Sequence, residues 1–157
     1  MEKYIDRIAS YHLFNYAFPG FLIVLCFLYL SNYSYAECNI IALFILSYFC
    51  GLFASRIGSL LFEPILKRIG FIKFVEMRDY VRASKNDTKI ETLMETANMY
   101  RSIIVASLII VAFSLIVNFN LFIVITGMIS FVIFLFSYRK QIKYIVKRIE
   151  GFKNAKK

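Results

Sequence analysis

Side chains that carry acid–base or metal chemistry are scarce in this chain. His12 is the one histidine among 157 residues, and of the ten acidic side chains none lies within a long apolar run beyond Glu63 at the rim of one. Catalysis on a membrane substrate needs acid, base or metal ligands gathered at bilayer depth, and a proton-coupled carrier needs an intramembrane carboxylate or imidazole relay. Neither set of materials is here. The three cysteines, Cys26, Cys38 and Cys50, form no CxxC pair and no Cys/His ligand spacing, which argues against metal and thiol-redox motifs. Cys26 and Cys50 sit in apolar runs as small hydrophobes, and Cys38 lies in a polar connection where a disulfide between chains is open but not implied. The phosphate-cradling, dinucleotide, metalloprotease, nucleophile-elbow and EF-hand motifs are all missing. The expectation is a non-enzyme with no cofactor and no metal site. Glycine and proline are also few, six and two, so the apolar stretches run long before anything interrupts them.

What is there in quantity is hydrocarbon. Apolar residues make up 60% of the chain and the mean hydropathy is +0.66, above the roughly 45–50% of a soluble domain. Lipid is then the solvent. A helical crossing needs about 20 apolar residues, and the runs give four, near residues 11–30, 40–62, 101–117 and 121–138. The fold expected is all-α: one polytopic membrane domain over residues 1–157, with four transmembrane helices and amphipathic cytoplasmic helices. The charges between Tyr4, Ile5, Ile8 and Tyr11 suggest a short surface helix before the first crossing, and no cleavable leader is evident, so that helix is expected to stay. Pro19 and Pro64 are the expected kinks, since proline lacks the amide donor and crowds the carbonyl one turn back.

The second run organises the rest. Ser47, Gly51, Ser55 and Ser59 recur every four residues, a stripe of small side chains that lets another helix approach closely; the rival reading is a hydroxyl-lined pore wall. Arg56 and Glu63 are intramembrane charges at its far end, seven positions apart and so on one side of a regular helix, within reach of each other. Arg56 either binds an ion, lipid headgroup or substrate, or snorkels to the headgroups. After Pro64 an amphipathic interfacial helix is expected over residues 65–83, then a turn at 84–87 and a Thr88/Glu91 capping box. From Lys89 the three-four spacing continues unbroken into the third crossing, which a tight turn at 118–120 joins to the fourth. Hydroxyls at Ser107 and Ser114, and at Thr126, Ser130 and Ser137, are read as packing, the rival reading being the lining of a narrow conduit in an oligomer. The basic tail, 139–157, keeps helical spacing and either lies on anionic lipid or packs on the helix before Tyr100.

Lysine and arginine set the orientation. The net charge is +9, yet both are absent from residues 31–39 and 118–120 and crowded into 67–101 and 139–157. Positive flanks stay inside, so the insert, 63–100, and both termini are expected to be cytoplasmic in a bacterial inner membrane. This placement favours anionic lipid headgroups over nucleic acid as the partner of the basic residues. Lys67, Arg68, Arg101, Lys143, Lys147 and Arg148 are the expected contacts to lipid or to a cytoplasmic protein partner.

Residues 55–67 (SRIGSLLFEPILK) and 86–101 (NDTKIETLMETANMYR) resemble a family of small, uncharacterised bacterial four-helix inner-membrane proteins, through an Arg-Ile-Gly-Ser helix end, a Glu-Pro break and an Asn-Met-Tyr-Arg approach to the membrane. The resemblance covers about the middle third of the chain and implies a build, not an activity. By analogy of architecture the expected function is an oligomeric effector or sensor component of a stress or phage-defence system that acts on membrane permeability; the alternatives are a small channel or transporter subunit and a scaffold.

Overall fold

A computed structural model describes residues 2–33 and 39–154, with side chains from Asn15 to Lys153. Cys38 and most of the connection before α2 lie outside the described residues, and His12 and the amphipathic face expected at the start lie outside the described side chains. The described residues form helices and loops, with no strand among them. In hydrocarbon there is no water to satisfy backbone amides, so a long apolar run closes its own hydrogen bonds as a helix. Among the described residues three helices are long and apolar enough to cross a membrane: Ile40–Arg68, Lys89–Ile116 and Leu121–Lys153. A shorter apolar stretch among them is Asn15–Leu30.

Helix α1, Glu2–Leu30, continues through Pro19 rather than restarting there, and Pro19 is buried. Beside it α1 meets α2, Ile40–Ile57, with backbone against backbone. A Cβ on Gly20 would lie 1.7 Å from the Ser47 carbonyl oxygen, and one on Gly51 would lie 1.7 Å from the Tyr16 oxygen. Asn39 caps α2, its side-chain oxygen accepting from the Ile41 amide at 2.9 Å.

Pro64 does not end this rod. A single wide π turn, Gly58–Phe62, joins α2 to α3, Glu63–Arg68, and the Glu63 amide donates to the Gly58 carbonyl five residues back. The wide turn sits in the turn that a proline ring would otherwise crowd. The chain breaks instead at Gly70, whose φ of +71° suits a residue with no Cβ. The Phe71 and Ile72 amides then fold back onto the Leu66 carbonyl at 3.0 and 3.4 Å. So the single interfacial helix expected over 65–83 is two helices: α3 ends here, residues 71–76 are not helical, and α4 spans Met77–Asn86. The expected turn at 84–87 is mostly the last turn of α4. The expected capping box is also corrected. Thr88 makes no side-chain cap; the Asp87 carboxylate accepts from the Lys89 amide at 3.0 Å, and the Asp87 carbonyl accepts from the Ile90 amide.

Helices α5, Lys89–Ile116, and α6, Leu121–Asn154, form a hairpin. The Asn120 side-chain oxygen accepts from the Phe122 and Ile123 amides, and the Ser114 hydroxyl accepts from the Asn120 amide. Ser107 and Ser130 bond each other across the hairpin at 3.0 Å, whereas the Thr126 hydroxyl is exposed and donates to the Phe122 carbonyl one turn back. At 34 residues, α6 is about 51 Å long, far beyond a hydrocarbon core of about 30 Å. Its excess length packs on the insert. Ile142, Ile145 and Ile149 are buried with Ile90, Ala97, Ala83, Ile72 and Leu66, so the tail and the mid-chain insert make one apolar core. Of the two readings of the tail, packing on the helix before Tyr100 is the one this core displays.

Candidate functional site

Where the core of the insert and tail meets the long apolar helices, three charged side chains converge. Glu63 leaves the last turns of the Ile40–Arg68 rod, and its carboxylate holds Lys67 at 2.7 Å and the Arg101 guanidinium of α5. Lys67 also lies over the Phe74 ring, 4.3 Å from its centre, where the ring's quadrupole attracts a cation. Tyr138 of α6, buried to 1% exposure, lines the same cavity as Glu63 and Arg101. Gly58 makes room for the arginine: a Cβ there would be 3.0 Å from Arg101 Cγ. A buried charge is tolerable only when paired, and one contact across 38 residues ties the second apolar helix to the third. The pairing is incomplete, because Arg101 Nε is buried with no hydrogen-bond partner.

The cluster forms one end of a cavity of about 460 Å³ between α3, α4, α5 and α6. Its other walls are apolar, among them Met94, Ile142, Ile145 and Ile149. Beyond it, polar contacts tie the insert to α6. Arg148 donates to Asp87 at 2.5 Å, Lys153 to Asp79 at 2.8 Å, and the Gln141 amide to the Leu93 carbonyl at 3.1 Å. The hydrogen bond from Arg148 holds the Asp87 carboxyl below its ordinary value of 3.8, against a smaller opposing effect of desolvation. On another side of α6, Arg139, Lys140, Lys143 and Lys147 line an open groove of about 710 Å³ with Tyr100 and Tyr144.

The residues singled out in the sequence are distributed unevenly around this centre. Glu63, Lys67, Arg101 and Ser59 meet in it. Ser47, Gly51 and Ser55 are buried along α2, and the Ser47 hydroxyl has no partner. Arg56 and Glu63 do not pair: Arg56 is exposed and has no ion pair among the described residues. Seven positions share a face only in a regular helix, and the π turn at Gly58–Phe62 rotates Glu63 away from Arg56 and toward α5. Arg68 and Pro64 are exposed, Lys143 and Lys147 line the basic groove, and Arg148 is occupied by Asp87. Sequence reasoning missed Tyr138, Asp79 and Asp87. The signal for Asp87 was its place just before a helical run, where an acidic side chain suits free amides.

No protein-family model, curated protein or solved structure matches the chain. The geometry therefore carries the functional reading.

Proposed function

We propose that this is a multi-pass protein of the bacterial cytoplasmic membrane whose insert and tail form a cytoplasmic module that governs the spans. That is the build of an oligomeric effector or sensor component of a stress or phage-defence system that alters membrane permeability. The observation that carries the reading is the Glu63–Arg101 contact, which joins the second apolar helix to the third at the edge of the core shared by insert and tail. A signal that loosens this junction frees the Ile40–Arg68 rod relative to the α5–α6 hairpin. Supporting it, lysine and arginine crowd the insert and tail and are absent from the opposite connections. The basic groove at Arg139–Lys147 suits anionic headgroups. Exposed aromatics on α2 and α6, such as Phe49, Phe53, Phe122 and Phe136, offer faces for lipid or for further copies of the chain.

The test is inducible expression in a bacterial host with a voltage-sensitive dye. The expected result is depolarisation and growth arrest under stress or phage challenge, changed by Glu63→Gln. Normal membrane potential and growth under every challenge would remove the reading. One observation favours a second reading, a small channel or transporter subunit: Arg56, exposed and unpaired among the described residues on an apolar helix. Solute flux in reconstituted vesicles that is lost in Arg56→Ala would select it.

A further inference from the structure

We propose that the cavity between α3, α4, α5 and α6 binds a single-chain amphiphile with a monoanionic head, a long-chain carboxylate being the simplest. Its volume of about 460 Å³ falls within the range of about 300–1,000 Å³ typical of small-molecule sites. Its two ends differ in chemistry. Lys67 and Arg101 stand at one, and Met94, Ile142, Ile145 and Ile149 line the other, so a head and a chain each have a matching wall. Two cations share the single carboxylate of Glu63, which leaves one positive charge in surplus, enough for a monoanion.

The arginine has donors that such a head can use. Its side chain is only 10% exposed and lines the cavity, while Nε, enclosed beside Gly58, has no acceptor among the described residues. The guanidinium and Lys67 share the one carboxylate of Glu63, so donors remain from which a second carboxylate can accept. Asn98, Ser59 and Tyr138 add neutral polar groups at the same end. The bound head would sit against the Glu63–Arg101 contact, where it competes for the guanidinium and bears on the junction between rod and hairpin. As the input of the effector the ligand rests on the reading above, whereas the binding itself does not.

The test uses the full-length chain with Tyr80→Trp in phosphatidylcholine nanodiscs, titrated with dibrominated stearate, whose bromines quench indole on contact. Tyr80 lines the cavity and the chain has no tryptophan of its own, so the signal comes from the cavity wall. Saturable quenching is expected, with the methyl ester of the same acid weaker by at least about tenfold, because it has lost its charge-assisted hydrogen bonds. Arg101→Gln should weaken the acid by a similar factor, and the half-exposed Lys67→Gln by about threefold. Quenching that does not saturate, or that is equal for acid and ester on the unaltered arginine, overturns the site. Equal affinity in a folded Arg101→Gln variant does the same. Saturable binding without any change of membrane potential in cells keeps the site and removes the effector reading.

Discussion

At the scale of single residues, the molecule hangs on one arginine that is nearly buried. Arg101 is 8% exposed, and its charge is tolerable because Glu63 is beside it. Glu63→Gln leaves the guanidinium buried without a counter-ion and should cost about 3 kcal/mol, seen as a lower thermal midpoint in detergent. Adding Arg101→Met, which removes the stranded charge, should recover most of the loss; no recovery would mean that the pair is not the source. Asp87 is the residue-scale case for pH. Its carboxyl is held below the ordinary value, chiefly by the hydrogen bond from Arg148. A depressed folded value means the contribution is fully present above pH 3.8 and fades as pH falls through the lower value of the folded state. Asp87→Asn should therefore lower the midpoint at neutral pH and flatten its fall on acidification. A parallel acid limb in the variant would assign the titration elsewhere. Glu63 was legible in the sequence as the one acid at the rim of an apolar run. Its partner was not, because a helical wheel assumes a regular helix and Arg56 is its neighbour only on such a wheel.

At the scale of elements, the long helices follow from hydrophobic runs that the bilayer forces to bond internally. The tight turn at 118–120 follows from two asparagines flanking one phenylalanine. The interruptions were harder. Pro64 marks a disturbance in the sequence, but whether the helix stops or widens depends on what α5 offers to the turn before it, and Gly58 against Arg101 is that contact. The break at Gly70 was hidden because Ile65, Leu66, Ile69 and Ile72 happen to satisfy helical spacing. The crossing of α1 and α2 yields a prediction at this scale. Gly51→Ala places a methyl 1.7 Å from a backbone oxygen of α1, so the helices must separate and lose their van der Waals contact. The expected cost is about 2 kcal/mol or more. Gly151→Ala meets nothing within 4 Å and lies in α6, so helix propensity alone should make it neutral or stabilising by up to about 1 kcal/mol. Thermal midpoints of the two variants check the contrast, and equal shifts would deny the close crossing.

At the scale of the whole molecule, the three long helices already set most of the topology, whatever α1 does. If Ile40–Arg68, α5 and α6 each cross, the insert and the tail share one side and the start of α2 lies on the other. Their shared core at Ile90, Ile145 and Ile149 requires that same-sidedness. The remaining question is where the N terminus lies. α1 runs antiparallel to α2, since Tyr16 faces Gly51 while Gly20 faces Ser47. Near its end, Phe27 lies 4.9 Å from Phe113, close to the outer end of α5. Gly51 is 11 residues into α2, about 17 Å along its axis, so Tyr16 lies near the middle of a core of about 30 Å. The 14 helical residues before Tyr16 add about 21 Å, more than the half-thickness that is left. The crossing should therefore be completed by residues 2–15, giving four spans and an N terminus on the side of the tail. Labelling with a membrane-impermeant maleimide tests this in intact cells. With Cys38 as the native thiol of the outer connection, label should enter without permeabilisation. With Cys38→Ser and Glu2→Cys together, label should enter only after permeabilisation. Labelling of residue 2 from outside would leave three spans, with α1 lying against α2 without crossing.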